Sequence, residues 1–295
     1  MNEALPTVAV MSPGDMGHHV GALLKRHSLR VITSLEGRSS RTAALAAKAG
    51  IEVLADDRLV IREADMILAI LVPAQALALA ERLAPMIEEA DDDLLYVDCN
   101  AIAPSTAERI ATVIEGIGSG FVDAGIIGPP PRQDSGATRF YASGRLADRF
   151  ACLNDHGLDV RVIGQRPGEA SAVKMCYAAL TKGTTALMTG LSIAAERHGV
   201  SDALRAEFAL SQAAMFERMQ RQVPAMVPKA HRWVGEMEEI AKTFNTAGIS
   251  PKIFEGIADV YQDVSRNMIA KVTQEAWSDQ DKAYEDVVED LSKEP

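Results

Sequence analysis

The sequence predicts an α/β domain on a mainly parallel sheet, followed by an all-α domain. Three observations predict it. Short, continuously apolar strands alternate with helical segments through the first half of the 295 residues, which implies a parallel sheet covered by helices on both faces. The first strand runs straight into a turn containing two glycines and then into a helix. From Glu169 onward every long segment reads as helix.

The elements follow in order. Val8–Met11 is a strand, and the chain after Gly17 is helical to His27. Leu29–Thr33 is a strand, Ser39–Ala49 a helix stopped by Gly50, and Ile51–Leu54 a strand. Asp65–Val72 reads as a buried strand closed by Pro73, with a helix over Gln75–Glu89. Leu94–Asp98, Gly120–Ile127, Phe140–Ala142 and Val160–Ile163 complete the strands, with a helix over Ser105–Ile117. Between Glu169 and Glu196 the only charges are Lys174 and Lys182, so this long helix is expected to be covered by other helices or by a second subunit. Gly199 should stop it and Ser201 should cap the next helix. Further helices are expected over Asp202–Arg221, Lys229–Thr246 and Pro251–Met268, with an acidic amphipathic tail over Gln274–Lys293. The shift in pattern places the domain boundary between residues 166 and 167, giving domains 1–166 and 167–295.

Composition narrows the function. Hydrophobic residues at 47% and charged residues at 24% are globular values and argue against disorder. A net charge of −11 leaves no overall basic footprint for nucleic acid. The longest charge-free apolar run, Met66–Ala80, falls short of the roughly 20 residues a membrane helix needs. The N-terminus lacks the basic region of a secretory signal. Cys99, Cys152 and Cys176 are scattered without metal spacing and fit a reducing, cytoplasmic setting. No metal site is expected.

The strand–turn–helix at the N-terminus reads Ser12-Pro13-Gly14-Asp15-Met16-Gly17. Glycines there let a pyrophosphate approach the helix N-terminus, the phosphate half of a Rossmann dinucleotide-binding domain. Ser12 stands where the first glycine is usual; the other two are correctly spaced. NAD-binding folds carry an acid at the end of the second strand. This chain has Thr33-Ser34-Leu35-Glu36-Gly37-Arg38-Ser39-Ser40-Arg41. Arg38 and Arg41, with Thr33, Ser39 and Ser40, suit a 2′-phosphate, so NADP is the expected cofactor. Glu36 points the other way, toward NAD, and the plainer reading has Ser39 capping the next helix and Arg38 solvated.

Several motifs in order resemble the β-hydroxyacid dehydrogenase family, within a 6-phosphogluconate dehydrogenase-like superfamily. They are Gly14-Asp15-Met16-Gly17; Leu71-Val72-Pro73, where the family contacts the cofactor; Asp98-Cys99-Asn100 with Pro104-Ser105-Thr106; Phe121-Val122-Asp123-Ala124-Gly125, in the place of a substrate motif; and Gly168 through Lys174, in the place of the helix with the catalytic lysine. Tyr177-Ala178, Thr181-Lys182-Gly183 and the run from Arg232 through Ile240 resemble a subgroup whose helical C-terminal domain has no known function. Two departures stand out. Tyr177 and Ala178 occupy the family's asparagine pair, and Ile126-Ile127-Gly128-Pro129-Pro130-Pro131 replaces its serine–glycine–glycine. An ordinary 3-hydroxyacid substrate therefore does not follow.

The resemblance implies an NADP-dependent oxidoreductase that interconverts an alcohol and its carbonyl, with Lys174 as general acid/base. Burial at the start of an apolar helix would suit that role by disfavouring the charged form. Tyr177, at i+3, either hydrogen-bonds the substrate oxygen or packs in the core. Asn100 serves cofactor or substrate, or else satisfies a loop group. Asp123, Lys182 and Trp233 are the remaining expected substrate residues. Asp123 alternatively caps a loop; Lys182 alternatively pairs with a glutamate of a partner chain. The expected assembly is a homodimer through the C-terminal helices, binding a small molecule and neither nucleic acid nor membrane. Two other readings remain: an imine reductase, against which Lys174 argues, and a nucleotide-binding protein without catalysis.

Overall fold

The computed structural model describes residues 5–90, 93–131, 137–271, 277 and 282–293. They form two compact units, Met1–Met175 and Cys176–Pro295. The division falls inside a helix, so the first unit keeps that helix's start, whereas the sequence pattern places the boundary ahead of it, at 166/167.

The first unit is built on one eight-stranded sheet. The strands are β1 (Thr7–Met11), β2 (Arg30–Ser34), β3 (Glu52–Leu54), β4 (Met66–Ala69), β5 (Leu95–Asp98), β6 (Gly120–Ile127), β7 (Arg139–Ser143) and β8 (Val160–Gly164). Their order is β3-β2-β1-β4-β5-β6-β7-β8, and every pair is parallel except β6 with β7. The order reverses between β1 and β4, the switch point at which open α/β sheets bind ligands beyond the carboxyl ends of their strands. The helices are α1 (Gly17–Arg26), α2 (Ser40–Ala49), α3 (Asp57–Glu63), α4 (Ala76–Ala90), α5 (Pro104–Gly116) and α6 (Ala147–Ala151). Two apolar layers flank the sheet. One gathers Val8, Val10, Leu24, Val31, Leu68 and Val97, the other Ala9, Ile32, Ile67, Leu83, Tyr96 and Ile110. Alternate residues of the same strands feed opposite layers, which is why the strands read as unbroken apolar runs.

Two expectations in this unit change. The strand expected over Asp65–Val72 is shorter, because the Leu71 N–H bonds the Asn100 side chain at 2.6 Å and leaves the ladder. Helix α3 escaped the sequence reading; Asp56 caps it by accepting the Leu59 N–H at 2.8 Å.

Helix α7 (Glu169–Arg197) crosses the division. The second unit continues with α8 (Ser201–Ser211), α9 (Ala213–Met226), α10 (Ala230–Thr246), α11 (Lys252–Arg266) and α12 (Tyr284–Ser292). Gly199 takes a left-handed φ of 67° and stops α7 as expected. Ser201 does not cap α8: Val200 holds that position, and the Ser201 hydroxyl bonds Glu196. The single helix expected over Asp202–Arg221 breaks at Gln212, whose backbone (φ −137°, ψ 36°) leaves the helical region. Part of the expected tail over Gln274–Lys293, residues 274–276 and 278–281, lies outside the described residues; its end is α12. Among the described residues no helix is long and apolar enough to cross a membrane, and no group of three or more His, Cys, Asp or Glu is placed to hold a metal ion.

Candidate functional site

The glycine turn closes on itself at the carboxyl end of β1. The Gly14 N–H donates to the Ser12 carbonyl at 2.7 Å. Ser12 has φ 63°, the left-handed region that a glycine would occupy without steric cost, so the serine keeps the turn's shape under strain. A Cβ on Gly14 would meet nothing nearer than the Ser12 carbonyl at 3.9 Å, leaving this backbone open to close approach. A Cβ on Gly17 would lie 3.2 Å from the Val10 side chain, so Gly17 lets α1 press onto β1. The turn thus has the bare cradle and the helix N-terminus that a pyrophosphate requires. Met16 precedes the helix; Asp15 pairs with Arg41 at 2.6 Å. That pair takes up the Arg41 offered above for a 2′-phosphate. His18 donates to the Gly14 carbonyl at 2.6 Å, and burial pushes its imidazole below its ordinary value.

The end of β2 differs from expectation in two side chains. Thr33 is fully buried, and its hydroxyl donates to the Val10 carbonyl at 2.8 Å. The Thr33 hydroxyl is thus engaged within the sheet, between β2 and β1. Ser39 caps α2 by accepting the Thr42 N–H at 3.2 Å, the plainer of its two readings. Arg38 is half-buried and lines a cavity of about 470 Å³ together with Glu36 and Leu71. Burial, and next the cation of Arg82, push its guanidinium below the usual value, with Asp57 opposing. After β4, Val72 is exposed and Pro73 opens a short 3-10 turn, Pro73–Gln75, leading into α4.

Two acids stand in register on neighbouring strands, Asp98 at the end of β5 and Asp123 within β6, and both are fully buried. Asp98 accepts from the Asn100 N–H at 3.0 Å and from the Asn100 amide at 2.8 Å. Desolvation raises its carboxyl to about 7 against those two bonds, with Asp123 adding to the rise. Asn100 is buried, and its carbonyl oxygen is the one that takes the Leu71 N–H. Its polar atoms therefore tie β5 to the loop after β4, close to the plainer expectation for this residue. Asp123 accepts the Gly168 N–H and the Ser171 N–H at 2.9 Å each, the Ser171 hydroxyl at 2.6 Å and the Ser143 hydroxyl at 3.2 Å. A carboxylate so placed satisfies the first turn of α7 and complements its dipole. Asp123 is thus a helix anchor with no face open to solvent, close to the plainer expectation of a cap.

Gly125 completes the arrangement. A Cβ there would lie 2.8 Å from the Lys174 Cβ and 3.0 Å from the Ala170 carbonyl. With Asp123 holding the first turn and Gly125 admitting the next, the start of α7 is pressed onto β6. Lys174 is half-buried there. Ile126 and Ile127 are buried strand residues paired with β7, so this segment offers no hydroxyl to a substrate.

Tyr177 stands one turn further along α7. It is 47% exposed, in a stripe with Leu180 at 67% and Leu187 at 66%. In the helical unit, Lys182 pairs with Glu236 of α10 at 2.6 Å, so its glutamate partner is in the same chain. The ammonium also lies 5.2 Å from the Trp233 ring centroid, and Trp233 meets Tyr261 edge-on at 5.2 Å. Lys182 and Trp233 are therefore brought together, the lysine as a paired cation and the indole as its cover. Sequence reading missed Ser171, Gly125 as a contact of Lys174, and Arg82. The first two lie inside motifs already quoted; a lone arginine in a helix carries no signal.

A doubly wound sheet, an open glycine turn at its switch point and a helical second unit define a dinucleotide-binding protein of the dehydrogenase and reductase class. The chain belongs to the family of the NAD binding domain of 6-phosphogluconate dehydrogenase, whose model matches residues 7–154. Residues 195–264 match the domain of unknown function DUF1932. An uncharacterized 28.5 kDa protein of Methanothermus fervidus is 28% identical over 179 residues, 61% of this chain and 67% of that protein. A conserved protein of unknown function, described as structurally similar to 3-hydroxyacid dehydrogenases, is 29% identical over 88% of this chain and 96% of its own, with a TM-score of 0.66. The 3-hydroxyisobutyrate dehydrogenase of Mycobacterium tuberculosis shares the fold at 17% identity and TM-score 0.71, over 93% of this chain and 98% of its own. An imine reductase of Streptomyces aurantiacus shares it at 18% identity and TM-score 0.55, over 94% and 99%. The fold is that of the 3-hydroxyacid dehydrogenases, with a nicotinamide cofactor as its partner.

Proposed function

We propose that the protein is an NADP(H)-dependent oxidoreductase that interconverts a small alcohol and its carbonyl, with Lys174 as the general acid/base. The observation that carries this reading is the anchoring of Lys174: Asp123 holds the helix start, and Gly125 lets the lysine-bearing turn rest on the strand backbone. Precise placement of a proton donor is what the reaction asks of the protein. The nicotinamide, when bound, supplies the redox chemistry. Gly14 and Gly17 would cradle the pyrophosphate with Ser12, Pro13, Asp15 and Met16, Arg38 would face the ribose phosphate, and Val72 and Pro73 would flank the cofactor after β4. Lys174 stabilises the developing alkoxide with its charge and delivers the proton during carbonyl reduction; in the reverse direction it takes the proton away. Tyr177, at i+3 from Lys174, supplies the hydroxyl that donates in an imine-reducing version of the site. Trp233 is assigned to the substrate side.

We also assign a homodimer, because the stripe of Tyr177, Leu180 and Leu187 leaves large apolar groups exposed on the longest helix. A cytoplasmic enzyme fits the thiols of Cys99, Cys152 and Cys176. The direct test is NADPH oxidation by the purified protein across small 2-oxo and 3-oxo acids, ketones and cyclic imines. Turnover of a carbonyl supports the reading. Turnover of imines alone moves the reaction to imine reduction, and nucleotide binding without any turnover contradicts catalysis.

A further inference from the structure

A second arginine shares the Arg38 cavity. The loop after β2 supplies Glu36 and Arg38 to its wall, the segment after β4 supplies Leu71, and α4 supplies Gln75, Leu79 and Arg82. The two guanidinium groups differ in how they are held. Arg82 pairs with Asp57 at the start of α3, and that carboxylate is itself buried. Arg38 is half-buried and has no carboxylate within ion-pair distance among the described residues. Two cations therefore border one cavity, and the buried acid whose charge reaches both is already paired with one of them. Among the described residues Glu36 is the one acid that lines the cavity, and it is exposed. Neighbouring like charges disfavour each other until an anion joins them. Paired guanidinium groups suit a phosphate dianion, whose several acceptor oxygens take forked N–H donors from both sides. The cavity lies beyond the carboxyl ends of β2 and β4, beside the switch point, on the side where the fold holds the adenosine ribose.

We propose that Arg82 is a second ligand of the cofactor's ribose 2′-phosphate, which sits between it and Arg38, and that Asp57 is the positioning residue that fixes Arg82. This rests on the NADP reading given above and extends it to a residue on a different element. Holding the phosphate from both β2 and α4 makes cofactor choice depend on two separate elements. Arg82 contributes to affinity and choice only: it binds the adenosine end, which takes no part in the reaction.

The test is calorimetric binding of NADPH, NADH, adenosine 2′,5′-bisphosphate and adenosine 5′-monophosphate to the intact protein and its Arg38→Gln, Arg82→Gln and Arg82→Lys variants. Arg82→Gln should weaken NADPH and the bisphosphate by at least about tenfold and leave NADH and the monophosphate within about twofold. Arg82→Lys should recover part of the loss, since it restores charge without the fork. Equal weakening of NADPH and NADH would make Arg82 a fold residue and overturn the proposal, as would no weakening of either. If Arg38→Gln discriminates between the cofactors and Arg82→Gln does not, the inference fails while the NADP reading stands. If the native protein prefers NADH and neither arginine matters, the NADP reading itself fails. Should Arg82→Gln unfold because Asp57 loses its partner, the double variant Asp57→Asn, Arg82→Gln replaces the ion pair with a neutral one and carries the same readout.

Discussion

Gly125 leaves the room that the Lys174 side chain needs: a methyl group on Gly125 would sit 2.8 Å from the Lys174 Cβ. The other obstacle is the Ala170 carbonyl at 3.0 Å, and neither atom is the yielding end of a flexible chain. Gly125→Ala should therefore move the start of α7 rather than be absorbed. A misplacement of about 1 Å can cost about 10²-fold in rate. Turnover should fall at least about tenfold while NADPH binding stays within about threefold. Unchanged turnover in a folded Gly125→Ala protein would mean that this contact does not place the reacting group.

Ser12 invites the opposite substitution. A non-glycine residue in the left-handed region costs roughly 1–2 kcal/mol, and Ser12 holds φ 63°. Ser12→Gly should relieve the strain and raise stability by about 1 kcal/mol, after the glycine's own entropy cost. Denaturant unfolding reads this directly. A loss of stability would show that the serine hydroxyl contributes more than the backbone strain removes.

Asp98 should make stability depend on pH. Its folded carboxyl titrates at about 7, above the ordinary 3.8. The folded state therefore holds a proton that the unfolded chain releases. This contribution is complete below the ordinary value, falls as pH rises toward 7, and is lost above it. Asp123 is shifted in the same direction by desolvation. The denaturation midpoint should drop between pH 5 and pH 8, and Asp98→Asn should reduce that drop. A midpoint that rises with pH over this interval, or an identical drop in the variant, contradicts the burial argument.

The apolar stripe on α7 predicts self-association. Leu180→Glu with Leu187→Glu places two charges where large side chains are more than half exposed, and charge at an interface core is strongly disfavoured. Light scattering should give twice the chain mass for the native protein and a shift toward the single-chain mass for the variant. A native monomer at micromolar concentration would remove the dimer assignment.

Much of the fold was legible because it is written in local pattern. The turn from Ser12 to Gly17, the unbroken apolar strands and the left-handed stop at Gly199 each follow from neighbouring residues. The break at Gln212 was not legible, since neither glycine nor proline marks it. Side-chain direction was harder. Thr33 sits at the expected strand end, but its hydroxyl bonds the Val10 carbonyl of the adjacent strand, a partner that no spacing within β2 reveals. Asp123 sits within β6 and serves the helix that begins at Glu169, because the long-range return of the chain supplies its donors. Arg82 and Asp57 come together only through the packing of α3 with α4.

The central claim is that Lys174 moves the proton. Lys174→Met removes the ammonium and keeps much of the side chain's volume and helix propensity. General acid–base catalysis contributes about 10²–10⁴ in rate. With a substrate found in the NADPH screen, single-turnover rates of native and Lys174→Met protein at saturating cofactor are the decisive measurement. The account predicts an intact dimer, NADPH affinity within about threefold and a rate lower by at least about 10². A variant that keeps more than about a tenth of the native rate would contradict it.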